Sequence, residues 1–102
     1  MTRRKVRFTA TAQRHVRLFK RWWRENSPRP EILLHDLNEA VEMLSAVPGI
    51  GVSYPASPVT GMRRLYLERL MSHIYYTYDD REVIIQALWH ARRGTGPDFG
   101  SR

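Results

Sequence analysis

Three consecutive runs, Arg63–Glu68, Ser72–Tyr78 and Glu82–His90, are dominated by apolar and aromatic positions with no Pro or Gly. Their Ile, Val, Leu, Tyr and Trp content suits a pleated, half-buried surface, so each is expected to be a β-strand. Asp79-Asp80 lies between two of the runs. Short acidic side chains bond their own backbone, which is turn chemistry. In the second run Ile74, Tyr76 and Tyr78 are expected on one face, with His73, Tyr75 and Thr77 on the other. Strict alternation in the third places Val83, Ile85, Ala87 and Trp89 opposite Ile84, Gln86, Leu88 and His90. Both of these faces are largely apolar, so that strand is expected to be central.

The first half of the chain has a different period. Lys5–Thr9 alternates Val6 and Phe8 with basic residues and reads as an edge strand, whose charges discourage unwanted pairing. Thr9 or Thr11 can cap a helix running to about Glu25, with Ala12, Val16, Phe19 and Trp23 as its apolar stripe and Trp22 beside it. Pro28 and Pro30 break the chain, and Pro30 suits the first turn of a second helix to about Ala46. Leu34, Leu37, Val41 and Leu44 form its main stripe, widened by Leu33 and Ala40. Val47-Pro48-Gly49-Ile50-Gly51 ends that helix. A Pro/Gly/Ser-rich connector then leads from Val52 to Met62.

These elements predict an α+β fold: an N-terminal strand, then an antiparallel helical hairpin packed on an antiparallel sheet of about four strands. The 102 residues suffice for one domain with a modest core, expected over about residues 5–93, with a flexible Gly/Pro/Ser tail over 94–102.

Charge changes the picture more than composition does. The formal net charge is +7. Nine Lys or Arg residues and no acid precede Glu25. Arg14, Arg17, Lys20, Arg21 and Arg24 would cover the first helix outside its apolar stripe. A second basic group is Arg63, Arg64, Arg69, Arg92 and Arg93. Such a surface attracts RNA, DNA or a strongly acidic protein; a basic face kept for solubility is the bland alternative. There is no cysteine, which removes disulfides, thiol nucleophiles and the usual zinc sites, and fits a reducing compartment. Neither a signal peptide nor a transmembrane stretch is evident, so a soluble cytoplasmic protein is expected.

Little enzyme chemistry is visible by motif. His15, His35, His73 and His90 form no metal-binding spacing, Gly49-Ile50-Gly51 follows a helix rather than a strand, and no nucleophile elbow occurs. No metal and no cofactor is expected. The basic cluster around the strands remains: Arg63, Arg64, Arg69, His90, Arg92 and Arg93, with Tyr66, Tyr76 and Tyr78 nearby. Arginine forks hold phosphate, and Tyr or His can stack on a base or move a proton. Docking of an acidic partner would use the same residues.

The order strand, helical hairpin, three-stranded meander resembles the RelE/ParE superfamily of bacterial type II toxins. Met62-Arg63-Arg64-Leu65-Tyr66-Leu67 resembles its Gly-x-Arg strand opening. Ile74-Tyr75-Tyr76-Thr77-Tyr78-Asp79-Asp80 resembles its tyrosine-rich strand before an acidic turn. Val83 to Arg93, ending Trp89-His90-Ala91-Arg92-Arg93, resembles its closing strand, and Pro48-Gly49 its helix end. The resemblance covers about residues 5–93. It implies a cognate acidic antitoxin as partner and either DNA gyrase or the ribosome and its mRNA as target. The Trp-His-x-Arg ending is similar to ParE-like members, so gyrase poisoning is the first expectation and RelE-like mRNA cleavage the alternative. In a nuclease, Arg92 would hold the scissile phosphate, Arg63 or Arg64 would be a second cation, and His90 a base. RelE-like enzymes commonly place a tyrosine in the tail, where this chain has Phe99. Arg14, Arg17, Lys20, Arg21, Arg24, Arg69, Arg93 and Tyr78 are the expected contacts to nucleic acid or a partner. A non-toxic nucleic-acid-binding module is a further alternative, and no membrane or small-molecule partner is implied.

Overall fold

The computed structural model describes residues 3–93 together with Gly96, Pro97 and Phe99. The strands are β1 (Lys5–Phe8), β2 (Val52–Ser53), β3 (Arg63–Leu67), β4 (Ser72–Tyr78) and β5 (Glu82–His90). The helices are α1 (Ala10–Asn26) and α2 (Glu31–Ala46), and single 3₁₀ turns cover Pro48–Ile50 and Glu68–Leu70. The five strands lie in the order β1-β5-β4-β3-β2. β1 runs parallel to β5, and every other pair is antiparallel. The sheet therefore has one strand more than expected, because Val52 and Ser53 of the connector pair with Arg64 and Arg63.

α1 starts where local chemistry places it. Thr9 is extended, and its hydroxyl accepts the Ala12 N–H at 3.0 Å. This satisfies one of the donors a helix start leaves open. The helix also protects the edge of β5. β1 pairs only as far as Ile85. Beyond it, Thr9 N–H donates to Ile85 O at 3.0 Å, and the buried His15 accepts the Leu88 N–H through Nδ1 at 3.3 Å. His15 thus does for β5 what a longer β1 would have done. The sequence pattern did not mark it as a core residue.

α2 is rotated slightly from its expected stripe. Leu33, Leu37, Ala40 and Leu44 are buried, while Leu34 is 45% exposed. The two stripes meet Ile74, Tyr76, Val83, Ile85 and Leu88 on one side of the sheet, and this is the main core.

β5 departs from strict alternation. Tyr75 pairs with Ala87 and Tyr76 with Ile85, so Gln86 is an extra residue, a β-bulge. Gln86 shares its side of the sheet with Thr77, to whose Oγ1 its amide donates at 3.1 Å. The bulge resets the period. Val83, Ile85 and Leu88 face the helices, while Ala87 and Trp89 belong to the opposite side. The expected grouping of Val83 and Ile85 with Ala87 and Trp89 is therefore wrong. An inserted residue is invisible to any argument from parity alone.

The connector and the helix end are tied together by Tyr76. Its hydroxyl donates to Pro48 O at 2.7 Å and accepts the Gly51 N–H at 2.8 Å. A Cβ on Gly51 would lie 2.5 Å from that hydroxyl and 2.7 Å from Arg64 O. Only glycine fits, because backbone and phenol both approach to where a side chain would stand. Arg63 completes the clamp, donating to Gly51 O at 3.0 Å and Gly49 O at 3.2 Å.

Candidate functional site

The side of the sheet away from the helices carries a second, smaller cluster: Met62, Tyr75 and Ala87, with Tyr54, Val59, Trp89 and Phe99 packed against it. Register builds it in two rows across three strands. Arg64, Tyr75 and Ala87 are aligned, and beside them Tyr66, His73 and Trp89. Each row takes one residue from β3, β4 and β5, so neither is visible in a local stretch of sequence.

Arg64 is held from two sides. Its Cζ lies 4.9 Å from the centre of the Tyr54 ring, and Nη1 donates to Tyr75 Oη at 3.4 Å. The guanidinium is thus braced on aromatic surface while its charge still faces the open side. The Tyr54 and Tyr75 rings meet edge to face at 5.0 Å, and His73 lies 5.1 Å from Tyr66 and 5.9 Å from Tyr75. Arg93 stacks on Trp89 with Cζ 4.0 Å from the ring centre. Tyr54, Arg64, His73, Tyr75, Trp89, His90 and Arg93 border one cavity of about 210 Å³. Partial burial, and secondarily the Arg64 charge, hold the His73 imidazole below its ordinary pKa of 6.5. Both effects disfavour its cationic form, so at neutral pH the ring is a proton acceptor. A cation, a neutral imidazole and two phenols therefore stand together: parts that can hold a phosphate, stack a base and move a proton.

The residues anticipated from sequence divide between several places. Arg64, His90 and Arg93 do come together, because β3 and β5 flank β4. Arg63 does not join them. It aligns with Tyr76 on the helix side and is committed to the Gly49 and Gly51 carbonyls. Arg92 is exposed in the turn after β5, and its N–H donates to His90 Nδ1 at 3.1 Å. Arg69 is bound to Asp36, with Nε 3.0 Å from Oδ2, and so ties α2 to the turn before β4. Tyr76 is buried among the helices, and Tyr78 at the far end of β4 lies under Arg4, 5.7 Å from ring centre to Cζ. Arg14, Arg17, Lys20, Arg21 and Arg24 are all exposed along α1. Of the expected tail, Gly94, Thr95, Asp98 and residues 100–102 lie outside the described residues; the Phe99 ring packs 5.6 Å from Tyr75.

Sequence reading missed Tyr54, His73, Tyr75 and Trp89 as site residues. Alternation did put His73 and Tyr75 on one face, and that was the available signal. Which neighbours they meet depended on register and on the bulge. Among the described residues, one group elsewhere has metal-ligand chemistry: His35, Asp36 and Glu39 offer atoms within 4.8 Å of one another. Arg69 already engages that carboxylate and the cluster is largely exposed, so it reads as an ion-pair network.

Comparison with protein-family models found no match, and comparison with curated proteins found none either. Solved structures do match. A chain from the chromosomal ParDE TA system from P. aeruginosa aligns with TM-score 0.67 and 24% identity, over 85% of this chain and 95% of that one. A chain from the toxin-antitoxin complex RelBE2 from Mycobacterium tuberculosis aligns with TM-score 0.64 and 27% identity, over 88% and 93%. The class is thus an α+β protein with a helical hairpin on one side of a mixed sheet and an arginine-bearing aromatic cluster on the other. More narrowly, the fold is RelE/ParE-like, that of the toxin–antitoxin chains with which it aligns. No helix among the described residues is long and apolar enough to cross a membrane.

Proposed function

We propose that this chain is the toxin of a type II toxin–antitoxin pair, acting in the cytoplasm and neutralised by a cognate acidic antitoxin. The fold likeness over most of both aligned chains supports the toxin reading. Within it, the cavity beside Arg64 favours RNA cleavage. His73 takes the proton of a ribose 2′-OH, Arg64 neutralises the scissile phosphate, and the Tyr75 or Tyr54 phenol protonates the departing 5′-oxygen. The observation that carries this reading is the meeting of Arg64, His73 and the two tyrosines around one cavity. In a translation extract the protein is expected to cut mRNA. Arg64→Ala and His73→Gln are each expected to slow the cut about 10²-fold or more. Transcripts that stay intact with the wild-type chain would refute RNA cleavage.

One observation favours the other target. Phe99 packs on Tyr75 at 5.6 Å. By resemblance this is the tail where nuclease members carry a tyrosine, and a phenyl ring transfers no proton. Gyrase poisoning predicts trapped DNA breaks with purified gyrase, unaffected by His73→Gln.

A further inference from the structure

Most cations outside α1 are engaged through their side chains. Arg3, Arg7, Arg29 and Arg69 pair with carboxylates. Arg4 and Arg63 donate to backbone carbonyls, and Arg64 and Arg93 stack on rings. Among the described residues, Arg14, Arg17, Lys20, Arg21 and Arg24 enter no ion pair. At about 100° per residue the five occupy roughly 120° of the helix circumference, opposite the buried Ala12 and the half-buried Phe19 and Trp23. Arg14, Arg17, Arg21 and Arg24 form a straight ladder whose steps are about 4.5–6 Å along the axis. No acid precedes Glu25 on this helix. Five of the 17 Lys and Arg residues lie in this one arc.

We infer that this ladder is a docking surface for the phosphate backbone of an RNA helix. The arc's other residues are Ala10 and Gln13, so it contains no large apolar side chain. The exposed Leu18 and Trp22 fall outside it. A protein interface needs an apolar centre, whereas phosphate binding is carried by charge. Four of the five are arginine, the side chain whose fork matches phosphate. The major groove of an A-form RNA helix is too deep and narrow for a helix to read, so α1 would lie across the backbone. The choice of RNA over DNA rests on the RNA-directed reading above; the choice of a phosphate backbone does not.

The test is fluorescence anisotropy of the full chain with a labelled RNA stem-loop of about 20 base pairs, between about 50 and 200 mM salt. Arg17→Gln/Arg21→Gln is expected to flatten the slope of log K against log salt by about two, and Arg14→Gln/Arg24→Gln likewise. All four sites are exposed, so unchanged melting temperatures are expected; an unchanged salt slope in both folded double variants would overturn the inference. A DNA duplex of the same sequence is expected to bind more weakly, and equal or tighter DNA binding would overturn the assignment to RNA. Loss of antitoxin binding with RNA binding intact would give the surface to a protein partner and overturn it too. His73→Gln separates the two proposals: it should slow cleavage about 10²-fold or more, while the α1 double variants still flatten the salt slope in its background. A wild-type chain that binds the stem-loop with the expected slope but cuts nothing supports the docking surface and sinks the cleavage reading alone.

Discussion

At the scale of single residues, the largest constraint is space around Tyr76. Its hydroxyl satisfies Pro48 O and Gly51 N–H together, in a place where a Cβ on Gly51 would collide with both phenol and backbone. Gly51→Ala is therefore expected to destabilise the fold by about 1–3 kcal/mol, because the clash is partly with the Arg64 carbonyl, which cannot swing aside. Urea unfolding measures it, and an unchanged midpoint would contradict the packing described. His73 gives a prediction in pH. Its folded pKa lies below the ordinary 6.5, so the unfolded chain binds the proton more readily. Its contribution to stability is complete above about pH 6.5, declines as pH falls toward the folded value, and is level below that. Melting temperatures between about pH 5 and 8 should show this decline in the wild type and lose it in His73→Gln. The same depressed value keeps the ring unprotonated and able to act as a base near neutrality.

At the scale of elements, α1 has a defined start, and β5 has a defined irregularity. Thr9→Ala removes the hydroxyl that accepts Ala12 N–H and is expected to cost about 1 kcal/mol in chemical denaturation. The bulge at Gln86 decides which residues of β5 see the helices. Deleting Gln86 would restore strict alternation and leave both flanks on the sides they already take. Val83, Ile85 and Leu88 would still face the helices, and Ala87 and Trp89 the opposite side. The deletion variant and Gln86→Ala are therefore both expected to unfold cooperatively, each losing the Gln86–Thr77 hydrogen bond. Loss of cooperative unfolding in the deletion variant would show that β5 needs the bulge itself to hold its place in the sheet.

At the scale of the whole molecule, Arg69–Asp36 joins α2 to the turn between β3 and β4 across 33 positions of sequence. The Arg69 hydrogen bond is the main cause of the lowered pKa of Asp36, against an opposing effect of burial. A carboxylate with a depressed folded value contributes stability above its ordinary pKa of 3.8, and that contribution is lost as pH falls through the folded value. Arg69→Gln is expected to lower the melting temperature at pH 7 and to flatten the acid limb below about pH 4. An acid limb identical to wild type would mean the pair is too well solvated to matter. The distribution of charge is also a property of the whole: five cations outside any ion pair gather on α1, while Arg64 and Arg93 are braced on the opposite side of the sheet.

Local periodicity by itself determined the helices, the three long strands, the acidic turn and the end of α2 near Pro48, because each depends on residues within a few positions of one another. Thr9 as cap, and His73 with Tyr75 on one face of β4, were legible for the same reason. Tertiary structure decided the rest. The sequence offered Arg63 and Arg64 as equivalent cations. Pairing with β4 sent Arg63 to the helix side and Arg64 to the cavity, since neighbours in a strand point oppositely. Ala87 and Trp89 changed sides through one inserted residue. His15 became part of the core because β1 stops short and β5 needed an acceptor for the Leu88 amide. Tyr54, a residue of the connector, entered the site because the chain folds back over the sheet to stack it on Arg64. The candidate site is an outcome of register across three strands, and register is a relation between distant segments that no single stretch of this sequence contains.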